Sequence, residues 1–226
     1  MEQQILKKTA DGSFTIYLPG MDEQYHSLNG ALTESMYVFI ERGFLFHQQI
    51  NPFVFEVGFG TGLNCLLTII QAQQLKRPTI YYAAEKYPLK EEVAKKLDYG
   101  SILSDEARNW FEKIHACRWE EEIQISEFFR LCKLKMDITK REFPENKKFH
   151  VIYFDAFGPD KQPEMWKPEI FRHLNQITFE EGVFVTYSAK GQVRRDLTAV
   201  GFNMERLPGP PGKNEMLRGI KVSSNL

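Results

Sequence analysis

The chain has 226 residues, of which 42% are hydrophobic and 26% charged, with a formal net charge of −1. That is enough length to bury a core without staples, and the balance excludes a global positive field drawing the molecule onto nucleic acid, so any RNA-binding surface has to be a local patch. Three scattered cysteines (Cys65, Cys117 and Cys132) form neither a disulfide framework nor a zinc motif, no apolar run reaches the ~20 residues of a membrane span, and the start Met1-Glu2-Gln3-Gln4 is not an apolar leader; the expectation is a cytoplasmic protein with free thiols, no metal, no membrane contact and no obligate protein partner.

The first fifty residues read as an extension on a core that runs from 51 to 226. Ser13–Leu18 alternates and stops at Pro19-Gly20, a strand followed by a turn. Leu32, Met36, Phe39 and Ile40 recur at helical spacing. Phe53–Val57 is a short apolar strand ending in glycines, after which Leu63, Leu66, Leu67 and Ile70 mark one helix face. Thr79–Ala84 is a second strand. Residues 90–117 read as two helices broken near Gly100, and 122–136 as a strand or hairpin. His150–Phe154 is a buried strand, Trp166–Asn175 a helix, Val183–Tyr187 a strand and Gln192–Val200 a helix with Gly201 as its C′ residue. Two strands, 202–207 and 215–222, flank a Pro/Gly loop. Strands alternating with helices predict an α/β three-layer sandwich with a mostly parallel sheet, an antiparallel C-terminal hairpin and a small β-rich N-terminal extension.

The informative stretch is Glu56-Val-Gly58-Phe-Gly60-Thr-Gly62-Leu-Asn64, which follows a strand and opens a helix. Glycines there let the backbone turn tightly and approach a ligand, and a helix N-terminus offers unpaired N–H groups. A dinucleotide fingerprint needs glycine where Leu63 stands, and a P-loop needs a lysine that the turn lacks. The spacing is similar to the first motif of class I methyltransferases that use S-adenosylmethionine (SAM), on a Rossmann-like sheet. Glu85 ends the second strand, where a carboxylate accepts hydrogen bonds from ribose hydroxyls; pairing with Lys86 is the plainer alternative. Asp137 closes the next apolar segment, where the superfamily likeness implies contact with an adenine amino group and where an aspartate also suits a helix N-cap.

Asp155-Ala-Phe157-Gly-Pro159 lies at the C-terminal end of the 150–154 strand, the end at which open α/β sheets bind ligands. A carboxylate there can orient an amine and take up its proton. Phe157 and Trp166 could stack a flat base, with core packing an equal reading for Trp166.

Together these residues resemble the methyltransferase domain of MnmC, the bifunctional tRNA wobble-uridine modification enzyme, and its free-standing relatives. The likeness runs through Gly30–Glu34 with Tyr37-Val-Phe39, the glycine turn, Glu85-Lys-Tyr-Pro88, Phe154–Phe157 with Pro159, Pro163-Glu-Met-Trp166, Thr186–Ala189, Val193-Arg-Arg195 and Lys213-Asn-Glu-Met216. It implies SAM as cofactor, held by Glu56, Gly58, Gly60, Gly62, Asn64, Glu85, Lys86, Asp137 and Asp155, and Asp155 as the catalytic carboxylate. It implies N-methylation of 5-aminomethyl-(2-thio)uridine in a tRNA anticodon, with Glu34, Tyr37, Phe157, Pro159 and Trp166 lining the acceptor site. Arg194, Arg195, Lys213 and Arg218 are the candidate phosphate contacts. In the bifunctional enzyme a second, FAD-dependent domain acts first; this chain ends at Leu226 without one, and no FAD is expected. Methylation of a small-molecule amine and a non-catalytic nucleotide-binding module are the competing readings.

Overall fold

A computed structural model of the chain describes residues 3–140, 143 and 147–223, with the side chain of Ser101 left aside. Met1 and Glu2, on which the expectation about the start of the chain partly rests, lie outside the described residues. Two antiparallel pairings join β1 (Ile5–Lys8), β2 (Phe14–Leu18) and β3 (Glu23–Gln24) into a small sheet. A short helix α1 (Ala31–Ser35) then widens into a π-helical segment, Met36–Phe44. The widening turns Val38, Phe39, Ile40 and Phe44 inward, rather than the single 3.6-residue stripe expected. Gly43 permits the close approach, since a Cβ there would stand 3.0 Å from Val185 and 3.1 Å from Tyr153 of the main sheet.

Among the described residues the main sheet holds eight strands: β4 (Phe53–Val57), β5 (Thr79–Glu85), β6 (Glu122–Ser126), β7 (Phe129–Lys135), β8 (Phe149–Phe154), β9 (Thr178–Thr186), β10 (Phe202–Pro208) and β11 (Glu215–Lys221). Their order is β10-β11-β9-β8-β4-β5-β7-β6. The pairs β7–β5, β5–β4, β4–β8 and β8–β9 are parallel, while β11 runs antiparallel to both β9 and β10. Strand order reverses at β4, so β5 and β8 leave it on opposite sides and their following loops splay apart into a crevice.

Alternation along the central strands builds the layers. Val54, Tyr81, Val151, Tyr153, Val183 and Val185 face one core, shared with α2 (Leu63–Gln74), α5 (Asp105–Ala116) and the π-helical segment. Phe55, Tyr82, Ile152, Phe154 and Phe184 face the other, under α6 (Pro168–Gln176) and α7 (Gly191–Ala199). Ile16, Leu18 and Ala31 belong to the first core, so the N-terminal sheet is packed on the sandwich. Arg77 fastens the end of the π-helical segment and the loop after it, donating to the carbonyls of Phe44 (2.7 Å) and Gln49 (2.9 Å).

Three expected boundaries shift. Residues 91–116 form three helices, α3 (Glu91–Ala94), α4 (Tyr99–Leu103) and α5; Gly100 sits inside α4, where a Cβ would stand 2.2 Å from the Arg108 backbone, and the break falls at Ser104, whose Oγ caps the Ala107 N–H at 3.0 Å. Trp166 ends a 3₁₀ turn, Pro163–Trp166, and the helix proper begins at Pro168. β9 begins at Thr178, five residues before the apolar run, because pairing with β8 carries its polar first half.

Candidate functional site

The turn after β4 crosses beneath both neighbouring strands. The N–H groups of Gly58 and Phe59 donate to the Ala84 carbonyl of β5, and the Asp155 N–H beyond β8 donates to the Val57 carbonyl at 2.9 Å. Gly58 (φ +89°) has no room for a side chain, since a Cβ would lie 2.7 Å from the Asp155 carbonyl oxygen. Gly60 (φ +50°) lies under Tyr25, whose ring would be 3.1 Å from an added Cβ. Above this turn opens a cleft of about 1000 Å³, at the upper end of small-molecule sites and roomy enough for a nucleoside and a second ligand.

Of the sequence-derived candidates, Gly58, Gly60, Asn64, Glu85, Lys86, Asp137 and Asp155 line the cleft, as do Glu34, Phe157 and Lys213. Glu85 is fixed from below: its Oε2 accepts the Gly60 N–H at 3.0 Å and its Oε1 the Tyr87 N–H at 2.8 Å. Asp137 acts as a cap and also lines the cleft. Oδ1 accepts from the backbone and hydroxyl of Thr139, as a cap does, and Oδ2 meets Lys86 Nζ at 2.9 Å on the cleft wall.

Asn64 ties two carboxylates together. Its Nδ2 donates to Glu56 Oε1 at 2.9 Å and to Asp155 Oδ2 at 2.8 Å, using both amide hydrogens. Glu56 is wholly buried below the floor, and burial followed by the nearness of Asp155 pushes its pKa well up. Burial, then the Glu34 carboxylate, pushes Asp155 up to about 7, against the Asn64 hydrogen bond and the Lys213 ammonium. The loop that carries Asp155 is held by two side-chain donors: Tyr187 Oη to the Ala156 carbonyl at 2.9 Å and Trp166 Nε1 to the Phe157 carbonyl at 2.7 Å.

The opposite wall comes from the N-terminal sheet and α1. Glu34, 7% exposed, accepts the Ser27 N–H at 2.9 Å and forms an ion pair with Lys213 from the β10–β11 loop. Lys213 also sits 3.8 Å from the Tyr187 ring centroid. Tyr25 meets Phe157 edge-on at 5.2 Å, and Lys161 reaches across to the carbonyls of Met21 and Asp22, both at 2.9 Å.

The remaining candidates stand elsewhere. Trp166 is 5% exposed and packs on Phe154 and Phe171, so it is a core residue rather than a stacking platform. Glu56 acts from beneath the floor. Gly62 (φ +77°) makes room for α5, with a Cβ there 3.2 Å from His115, and does not line the cleft. Tyr37 lies outside the cleft with Arg42 over its ring, and Pro159 begins the turn that follows the Asp155 loop. Arg194 and Arg195 are exposed on α7 away from the lining, and Arg218 is paired with Glu205 at 2.8 Å. Conversely, Tyr25, His26 and Tyr187 line the cleft without having been singled out. For Tyr187 a signal existed, since it directly follows the end of a parallel strand. Tyr25 and His26 sit after a two-residue strand that carries no periodicity.

No helix among the described residues is long and apolar enough to cross a membrane, and no group of three or more His, Cys, Asp or Glu among them is placed to hold a metal ion.

Comparison with known proteins agrees with this geometry. Residues 98–222 match the family described as S-adenosyl-L-methionine-dependent methyltransferase. The chain is 30% identical over 220 residues to the tRNA 5-methylaminomethyl-2-thiouridine biosynthesis bifunctional protein MnmC of Nitrosospira multiformis, covering 90% of this chain and 35% of that protein. The MnmC of Actinobacillus pleuropneumoniae is 30% identical over 226 residues, with 88% of this chain and 32% of the relative covered. The chain thus spans about a third of the length of these relatives. Among solved structures, MNMC2 from Aquifex aeolicus superposes with a TM-score of 0.78 at 25% identity, covering 100% of this chain and 72% of that one. Spermidine synthase from Thermotoga maritima shares the fold, at a TM-score of 0.64 and 13% identity, over 99% of this chain and 70% of that one. The chain belongs to the S-adenosyl-L-methionine-dependent methyltransferases and is related to the methyltransferase portion of MnmC.

Proposed function

We propose that this protein N-methylates the aminomethyl group of a 5-aminomethyl-(2-thio)uridine at the tRNA wobble position. The observation that carries the reading is Asp155: a carboxylate at the end of β8, over the glycine floor, with its pKa pushed up to about 7.

The residues fit S-adenosylmethionine. The floor at Gly58 and Gly60 is bare backbone, Glu85 is locked at the end of β5, where the ribose is expected, and six carboxylates, Glu23, Glu34, Glu85, Asp137, Asp155 and Glu164, line the cleft against three lysines, of which Lys86 and Lys213 are paired with Asp137 and Glu34. Such a lining suits a cation. Bound there, SAM supplies a methyl group on a sulfonium.

The chain's own residues do the rest. An alkylamine arrives protonated at neutral pH. Asp155 accepts a proton from it through the oxygen not held by Asn64, freeing the nitrogen lone pair. Relative to an amine with a pKa of about 10.4, an unperturbed aspartate makes that transfer about 9 kcal/mol uphill, and one near 7 about 5 kcal/mol. Burial of Asp155 therefore removes close to half the cost. Phe157 and Tyr25 form an aromatic corner against which a flat base can rest.

A small-molecule amine is the second reading, favoured by the position of Arg194 and Arg195 away from the cleft. The deciding experiment is incubation with labelled SAM and tRNA bearing 5-aminomethyluridine, then nucleoside analysis. Label in the 5-methylaminomethyl nucleoside, lost in Asp155→Ala, is expected. Untouched tRNA alongside a labelled small amine would refute the tRNA reading. Binding to tRNA should also weaken steeply with salt, and binding to a small amine far less.

A further inference from the structure

His26 is 8% exposed, lines the cleft next to Glu34 and Lys213, and plays no part in the account so far. Its ring is edge-on to Tyr99 at 6.4 Å and its backbone N–H donates to Thr15 Oγ1 at 2.9 Å. Packing does not explain the imidazole. A phenylalanine would fill the same space, whereas Nδ1 is sealed from solvent with no hydrogen-bond partner. An unpaired buried nitrogen costs about 1–3 kcal/mol, so its presence calls for an explanation.

The ring's state follows from its surroundings. Burial, opposed by the Glu34 carboxylate and assisted by the Lys213 ammonium, drops its pKa to about 4, so the ring is neutral at physiological pH. A buried N–H without a partner is rarer than a buried acceptor without one, and on that ground we assign the lone pair to Nδ1 and the proton to Nε2, on a ring that lines the cleft. The neighbouring Glu34 carboxylate already accepts from Ser27 at Oε2 and from Lys213 at Oε1.

We propose that His26 is a specificity-determining contact for the acceptor, donating from Nε2 to a carbonyl oxygen of the base whose aminomethyl group faces Asp155. This rests on the reading of the cleft as the site of a nucleobase amine. An exposed donor would discriminate little. One fixed in a dry wall does, because an acceptor lacking the carbonyl leaves it unpaired.

The test compares the intact protein with His26→Phe, which keeps the ring against Tyr99 and removes both nitrogens, and His26→Gln, which restores a donor near Nε2. The probe is an anticodon stem-loop RNA bearing 5-aminomethyluridine. For His26→Phe we expect KM for the RNA to rise about tenfold, with kcat and SAM affinity held and the melting temperature unchanged or higher, and His26→Gln to recover most of the loss in KM. An unchanged KM in His26→Phe, with the wild type active, overturns the contact and leaves the wobble-uridine reading standing. So does a parallel fall in kcat, SAM affinity and melting temperature, which is the mark of a packing role. Absence of transfer by the wild type refutes both.

Discussion

Asn64→Leu is the sharpest perturbation of the site, since it keeps the side-chain volume and removes both hydrogen bonds between Glu56 and Asp155. The bond to Asp155 favours the charged form, against burial and Glu34. A hydrogen bond to a charged group contributes about 1.5–3 kcal/mol, so its loss should raise the Asp155 pKa by about one to two units. From a starting value of about 7, the proton-accepting form at pH 7.5 would fall from about three-quarters of the population to about a quarter or less. Methyl transfer should drop about 3- to 25-fold at pH 7.5 and recover towards wild type above pH 9. The assay is kcat/KM against pH, backed by ¹³C NMR of aspartate carboxyls to follow Asp155 without substrate. An inflection at the wild-type pH in a folded Asn64→Leu protein would refute the role given to this clamp. Activity lost equally at every pH would place Asn64 in cofactor binding alone.

Asp155 also governs stability. Its folded pKa is raised, so between about 4 and about 7 the native state holds a proton that the unfolded chain has released, and stability falls as pH rises through that window. Asp155→Asn should flatten the dependence and melt higher than wild type at pH 8, with no difference at pH 4; differential scanning calorimetry at the two pH values decides it. Gly60→Val should abolish SAM binding by calorimetric titration while the protein stays folded, because the residue combines φ +50° with a Tyr25 ring 3.1 Å from any Cβ; wild-type affinity in that variant would remove the glycine floor from the cofactor site. Trp166→Ala should cost about 3–5 kcal/mol in urea unfolding, as expected of a core aromatic, and a loss below 1 kcal/mol would contradict its burial.

What was legible in the sequence is what local geometry decides. The run 53–57, the glycines after it and the acids at 85, 137 and 155 are set by alternation, positive φ and strand-end position, each confined to a few residues. Trp166 illustrates the limit. A tryptophan after a loop reads the same whether it faces ligand or core, and the choice is made by Phe154 and Phe171, contacts that spacing does not reveal. Gly62 was legible as a glycine needing positive φ but not as the seat of α5, which approaches from 50 residues away. The π-helical widening at 36–44 was hidden because it is selected by fit against β8 and β9 through Gly43. Tyr25 and His26 were invisible for the same reason: the wall they form exists only once the N-terminal sheet docks.

That docking divides the cleft by ancestry of chain. Gly58, Gly60, Glu85 and Asp137 stand on β4, β5 and β7 or the turns that follow them, whereas Tyr25, His26 and Glu34 come from the first thirty-four residues. On the proposed reading, exchanging that opening segment for one from a relative should change which acceptor is taken more than it changes methyl-donor binding.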